Sequence, residues 1–142
     1  MRVLRGDVVR DDLGDLPLFS GASRSEMAVI GQQLTKLHLP AGRVLVQEGA
    51  IGSEFMVIVD GQAVVSQGGH LIATLGRGDL VGEMALLDAR GRGRRNATVV
   101  ARSDVVVYVG SSVEFRRILE AAPSVAAKVR QTVTARTKPQ AA

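Results

Sequence analysis

The sequence predicts a mainly β domain: an antiparallel β jelly roll or sandwich with flanking helices, one N-terminal, two C-terminal, and a short one inserted late in the sandwich. Three observations lead there. Between Leu39 and Gly110 the chain is a series of short β-branched runs, Val44 to Gln47, Phe55 to Asp60, Gln62 to Gln67, Leu71 to Leu75, Ala97 to Ala101 and Val105 to Val109. Glycines at 42, 49, 52, 61, 68, 69, 76, 78 and 82 separate those runs, and regularly spaced turn signals between short strands point to an antiparallel sandwich. Helical periodicity is confined to the two ends.

At the N-terminal end, Leu16-Pro17-Leu18-Phe19 is apolar and is expected to pack on the domain. Ser23-Arg24-Ser25-Glu26 then forms a capping box, in which the Ser23 hydroxyl and the Glu26 carboxylate satisfy each other's free backbone amides. Met27, Ile30, Leu34 and Leu37 follow at helical spacing, predicting a first helix that reaches Leu37. After Pro40 the period changes to that of strands. Ser111-Ser112-Val113-Glu114 is a second capping box, followed by an apolar stripe of Phe115, Ile118, Leu119 and Ala122. Pro123 breaks that stripe, but its fixed φ suits the first turn of a further helix, carried by Val125, Val129 and Val133 to about Arg136. The expected division is an arm or linker over residues 1–15, one domain over 16–138 and a frayed tail over 139–142.

Length and composition bound the function. A chain of 142 residues with 46% hydrophobic and 23% charged residues is of ordinary globular composition, and at that size roughly 68–70% of the unfolded surface is buried, enough for one core. The absence of cysteine excludes a disulfide framework and any thiolate metal site, and fits a reducing, cytoplasmic setting. No apolar run is long enough to span a bilayer, and Met1 to Arg10 alternates charge with valine where a signal peptide needs an apolar stretch. The net charge of +4 comes from fifteen arginines and three lysines against 14 acids. Arginine's planar fork matches phosphate, and a GC-rich coding sequence produces the same bias. With three phenylalanines, one tyrosine and no tryptophan, stacking platforms for single-stranded nucleic acid are scarce.

One segment departs from the sandwich pattern. Gly82-Glu83-Met84-Ala85-Leu86-Leu87 reads as a single helical turn, and the following stretch carries Arg90, Arg92, Arg94 and Arg95 with two glycines before the strand resumes at Ala97. A helix N-terminus offers unpaired amides and the positive end of a dipole to a phosphate. Gly82 lets the backbone approach, and an arginine from the next strand adds a charge-assisted contact. An ionised Glu83 can only accept hydrogen bonds, so beside a phosphate it must face a hydroxyl or a cation, and a ribose hydroxyl fits. As bare chemistry, a Glu83 to arginine salt bridge with nothing bound satisfies the same residues.

The chain also resembles a known family, the cyclic nucleotide-binding domain of the catabolite activator protein, kinase regulatory subunits and cyclic nucleotide-gated channels. The resemblance runs from Leu16 to about Arg136. It rests on Pro40-Ala41-Gly42-Arg43-Val44-Leu45-Val46-Gln47-Glu48-Gly49 with Gly52, Phe55 and Asp60-Gly61, on Gly82-Glu83-Met84-Ala85-Leu86-Leu87, and on Arg95-Asn96-Ala97-Thr98-Val99. The last two resemble the ends of the family's phosphate-binding cassette, so Gly82, Glu83, Met84, Ala85, Arg95, Asn96 and Ala97 are the implied ligand-binding residues. The resemblance implies that Glu83 takes the ribose 2′-hydroxyl, Arg95 the cyclic phosphate, and the Ala85 and Asn96 amides the remainder of the cradle. Val65 is implied as an apolar contact to the base and Val129 or Val133 as a lid on the last helix, with core packing the alternative for each valine. The ligand is a cyclic nucleotide rather than a cofactor, and no metal is implied.

Two departures from the family pattern matter. The arginine usually lies about nine positions after the glutamate; here Arg95 lies twelve after Glu83, and Arg92 occupies the nearer offset. Arg95 is the expected ligand because Arg-x-Ala-Thr-Val leads the returning strand and a loop absorbs extra residues more cheaply than a strand absorbs a register shift; Arg92 is the alternative. Members that prefer cGMP resemble one another in a threonine or serine directly after the arginine. Asn96 stands there, which points to cAMP.

Competing functions are disfavoured on the residues present. A metal oxygenase or isomerase of similar architecture needs several histidines and a carboxylate inside the sandwich, whereas His38 and His70 sit on separate runs. No nucleophile and base arrangement is evident, and a Glu83 held by an arginine is a poor general base, so no enzyme activity is expected. A DNA-reading regulator of this family would continue into a helix-turn-helix, whereas this sequence stops at Ala142. The expectation is a sensor module, stand-alone or part of something longer, with an effector domain, a channel pore or a second copy as partner. No membrane or nucleic-acid contact by the module itself is expected. A diverged module that acts on proteins without ligand, or a fragment of a transcription regulator, is the alternative. Leu4-Arg5-Gly6-Asp7-Val8-Val9-Arg10 also resembles the linker before this domain in prokaryotic potassium channels, which points to the cytoplasmic side of a channel.

Overall fold

In the computed structural model, residues 13–52, 54–82 and 94–137 are described. A 3-10 turn, Pro17–Phe19, leads into α1, Arg24–Gln33. Strands β1 Thr35–Leu39, β2 Val44–Val46, β3 Glu54–Asp60, β4 Ala63–Gln67, β5 His70–Leu75, β6 Leu80–Val81, β7 Thr98–Ala101 and β8 Val105–Ser111 follow. The chain closes with α2, Ser112–Ala121, and α3, Pro123–Thr137. Two sheets of four strands, ordered β1-β8-β3-β6 and β2-β7-β4-β5, form the antiparallel jelly-roll sandwich among the described residues.

The two sheets are buried differently, and that shapes their sequences. The first is covered on one face by the second and on the other by the helices, so β3 and β8 are apolar nearly throughout. Side chains alternate between faces. Met56, Ile58, Val105, Val107 and Val109 point into the sandwich, while Phe55, Val57, Val59 and Tyr108 join Leu13, Leu16, Phe19, Ile30, Phe115, Ile118 and Val125 in the helical layer. The Phe55 and Phe115 rings lie 4.5 Å apart, centroid to centroid. The second sheet turns one face to water, and its edge strand β5 is largely exposed.

Both capping boxes form. The Ser23 hydroxyl accepts from Glu26 N and the Glu26 carboxylate from Ser23 N; Ser111 and Glu114 repeat the arrangement at α2. Pro123 opens α3. The first helix is shorter than its periodicity predicts. It ends at Gln33, Leu34 is extended, and Leu37 lies on β1 opposite Val107. Pairing with β8 from Thr35 to Leu39 captures those residues, a tertiary contact that overrides local spacing. Leu13 is fully buried, so the packed core reaches upstream of the boundary drawn at residue 16. The expected helical turn after Gly82 and the tail over 139–142 lie outside the described residues.

Truncating Phe55 removes a ring that is 2% exposed and leaves Phe115 without its partner. Phe55→Ala should lose about 3–5 kcal/mol of stability, measured by urea denaturation. Ser111→Ala should lose about 1 kcal/mol through the cap alone.

Candidate functional site

Arg95 sits just before β7, and its placement is set by backbone from three other segments. Its own N–H donates to Ala50 O at 2.7 Å, and Gly49 N donates to Arg95 O at 2.8 Å. Arg94 supports the same junction, bridging to Ile51 and donating through Nη1 to Gly49 O at 2.8 Å. This short antiparallel contact pins the strand entry against the loop between β2 and β3. The Arg95 side chain turns the other way. Nη1 donates to Gly82 O at 2.7 Å, and Nη2 donates to Glu54 O. Two of the guanidinium's five N–H groups thus tie β7's entry to the end of β6 and the start of β3.

Gly82 follows β6, whose Leu80 and Val81 are both buried and paired with Val57 and Met56. Its φ of +85° lies in the left-handed region that favours glycine. A second reason is steric: a Cβ on Gly82 would collide with Arg95 Nη1 and lie 3.0 Å from Glu54 O. The positive φ calls for glycine, and the missing side chain leaves the space that the Arg95 guanidinium fills.

Around Arg95 lies a ring of polar contacts. Gln67, at the end of β4, donates through Nε2 to Asn96 O at 2.8 Å. Gly68 N donates to Glu48 Oε1 at 3.1 Å, and Glu48 N donates to Thr98 Oγ1 at 3.0 Å. Asn96 is exposed, whereas Ala97 is buried beneath it. Val65, on β4 opposite Val99, is half-buried and packs on the core between the sheets. Gly82, Arg95, Asn96 and Ala97 are therefore grouped at one end of the sandwich, with Val65 on its inner face.

Of the valines expected on the last helix, Val129 lies elsewhere. Val129 is 1% exposed and packs in the helical layer with Leu16, Phe19 and Val125, on the opposite side of the first sheet from Val65. α3 is seated on the Pro17–Phe19 turn, and Lys128 Nζ donates to Pro17 O and to Ser20 Oγ. Val133 is on α3, its side chain outside the described residues. Glu83, Met84, Ala85 and Arg92 also lie outside them. His38 and His70 are exposed and belong to different sheets.

Sequence reasoning overlooked Gln67, Glu48 and the carbonyls of Glu54 and Ala50. Carbonyls leave no trace in residue identity. Gln67 did leave a signal, as the polar residue two positions after Val65 and therefore on the same face of β4.

A model of the family described as the cyclic nucleotide-binding domain matches residues 36–122. The chain is 31% identical over 136 residues to a cyclic nucleotide-gated potassium channel of Rhizobium etli, covering 94% of this chain and 37% of the channel. It is 37% identical over 113 residues to a cAMP-dependent protein kinase regulatory subunit of Mycosarcoma maydis, covering 75% of this chain and 22% of that subunit. A solved structure of a cAMP-binding acyltransferase from Mycobacterium smegmatis superposes with a TM-score of 0.66 at 34% identity, covering 79% of this chain and 35% of that one. The chain belongs to the cyclic nucleotide-binding domain family, and it spans well under half the length of these relatives.

The contact between Gly82 and Arg95 makes a prediction. Gly82→Ala should cost about 1–3 kcal/mol of stability from positive-φ strain and the clash. In an Arg95→Ala background the guanidinium clash is gone, and the penalty should fall toward that of the positive-φ strain and the close contact with Glu54 O. A double-mutant cycle by thermal melting reads the difference.

Proposed function

We propose that this chain binds a cyclic nucleotide, cAMP in preference to cGMP, and acts as a cytoplasmic regulatory sensor by drawing α3 over the bound ligand. The observation that carries the reading is the Arg95 guanidinium, held against Gly82 at the end of β6 with its backbone clamped by Gly49 and Ala50. A pre-positioned arginine beside a glycine of positive φ supplies fixed positive charge and close backbone approach, the two requirements of a small phosphodiester. In this reading Arg95 holds the cyclic phosphate with the Ala85 and Asn96 amides, Glu83 the ribose 2′-hydroxyl, and Val65 the base. Asn96 after the arginine supports cAMP, as do the kinase subunit and the acyltransferase among the relatives. The channel relative supports a place on the cytoplasmic side of a gated potassium channel, with the pore as effector.

The regulatory step is a population shift. With Val129 seated in the helical layer, α3 has to leave its contact with the Pro17–Phe19 turn before Val129 can close on a base. A ligand drives that change only by its difference in affinity between the two seats.

Calorimetric titration with cAMP and cGMP tests the binding reading. Wild type should bind cAMP more tightly, Arg95→Ala should lose at least about a hundredfold in affinity with two charge-assisted bonds gone, and Arg92→Ala should stay within about threefold. No heat with either nucleotide overturns the reading, and loss with Arg92→Ala alone moves the phosphate to Arg92. Hydrogen exchange tests the lid separately: amides of residues 125–136 should exchange more slowly with saturating cAMP, whereas unchanged exchange removes the lid and leaves binding intact.

A further inference from the structure

The two peptide groups flanking Asn96 are each held through their carbonyl. Gly49 N donates to Arg95 O at 2.8 Å, and Gln67 Nε2 donates to Asn96 O at 2.8 Å. In a trans peptide the C=O and N–H point in opposite directions, and no cis bond occurs among the described residues. Holding Arg95 O on the Gly49 loop therefore aims the Asn96 N–H away from that loop. Holding Asn96 O on Gln67 likewise fixes the direction of the Ala97 N–H. Fixing both planes sets the φ and ψ of Asn96, which lies at a bend rather than in the ladder of β7. The first restraint is backbone; the second is a side chain.

Gln67 is delivered to that carbonyl by the architecture of its hairpin. β4 pairs with β7 without a register shift from Ala63 to Ser66, so Ala63, Val65 and Gln67 share the inward face. The hairpin then turns through Gly68 and Gly69, at φ +58° and +83°, conformations that suit a two-residue turn. Its tip is tied down by Glu48, whose carboxylate accepts from Gly68 N and whose own N–H donates to Thr98 Oγ1. These bonds close a ring through residues 48, 67, 68, 96 and 98 around the strand entry that carries Arg95.

We propose that Gln67 is a positioning residue for the phosphate site, its carboxamide N–H setting the peptide plane between Asn96 and Ala97 so that the amides after Arg95 face the ligand. This rests on the reading of Arg95 and Asn96 as phosphate ligands. The requirement is for a donor at this position, not for side-chain bulk.

The test uses the full chain with Gln67→Leu, Gln67→Glu and Gln67→Lys, titrated with cAMP, alongside the Asn96 and Ala97 amide resonances of the ligand-free proteins. Leucine and glutamate offer no donor at neutral pH and should weaken cAMP binding by about five- to tenfold. Lysine restores a donor and should bind within about twofold of wild type, with all melting temperatures within about 4 °C. The Ala97 amide should shift in Gln67→Leu and Gln67→Glu and move back toward its wild-type position in Gln67→Lys. Wild-type affinity in Gln67→Leu and Gln67→Glu overturns the proposal, as does an equal loss in all three variants. If wild type itself binds neither cAMP nor cGMP, the ligand reading fails, and the Ala97 resonance then decides whether Gln67 sets this backbone: an unmoved resonance overturns that as well.

Discussion

The guanidinium of Arg95 against Gly82 is the contact on which the geometry of this end of the sandwich depends. It joins the start of β3, the end of β6 and the entry to β7, segments separated by 41 and 13 residues from the arginine itself. Both of these partners are backbone carbonyls, of Gly82 and Glu54, so these two bonds are made whatever side chains those positions carry, except that Gly82 must leave room for the guanidinium. A charged group held this way is partly desolvated yet hydrogen-bonded, which keeps its burial tolerable and its direction fixed. Its backbone is restrained independently by Gly49 and Ala50. An arginine fixed at both ends is suited to recognise a small anion with little reorganisation.

The rest of the molecule supports that end and links it to the helices. The doubly covered sheet gives β3 and β6 a rigid seat, because Val57 and Leu80 face the helices while Met56 and Val81 face the second sheet. The same strand that lends the Glu54 carbonyl to Arg95 places the next residue, Phe55, on Phe115 of α2. A change at the arginine is therefore one residue removed from the helical layer in which α3 is seated. This continuity physically connects the Arg95 end of the sandwich to the layer in which α3 is seated.

Much of the fold was legible in the sequence, for local reasons. Capping boxes at Ser23 and Ser111 and the proline at 123 are short-range chemistry and formed as read. The alternation that marks strands was diluted in β3 and β8, where both faces are buried, but their length and β-branching still marked them. β1 and β6 escaped. Thr35 to Leu39 continues the apolar spacing of α1 and becomes a strand only because β8 is there to pair with it, and two residues of β6 carry no period. At the site, Arg95 and Gly82 were legible because charge and glycine stand out in a chain of β-branched residues. The reasons for Gly82 were not, since they are its own positive φ and the position of a side chain thirteen residues away. Val129 shows the same limit: its spacing marks a buried helical face, and only packing reveals that the face is turned to Leu16 and Phe19.

The most direct measurement is a crystal structure of the chain grown with cAMP. The account predicts phosphate oxygens within about 3 Å of the Arg95 guanidinium and of Asn96 N, with Arg95 still bonded to the Gly82 and Glu54 carbonyls. A phosphate held by Arg92, or a nucleotide bound away from the end of β6 and the entry to β7, would contradict it.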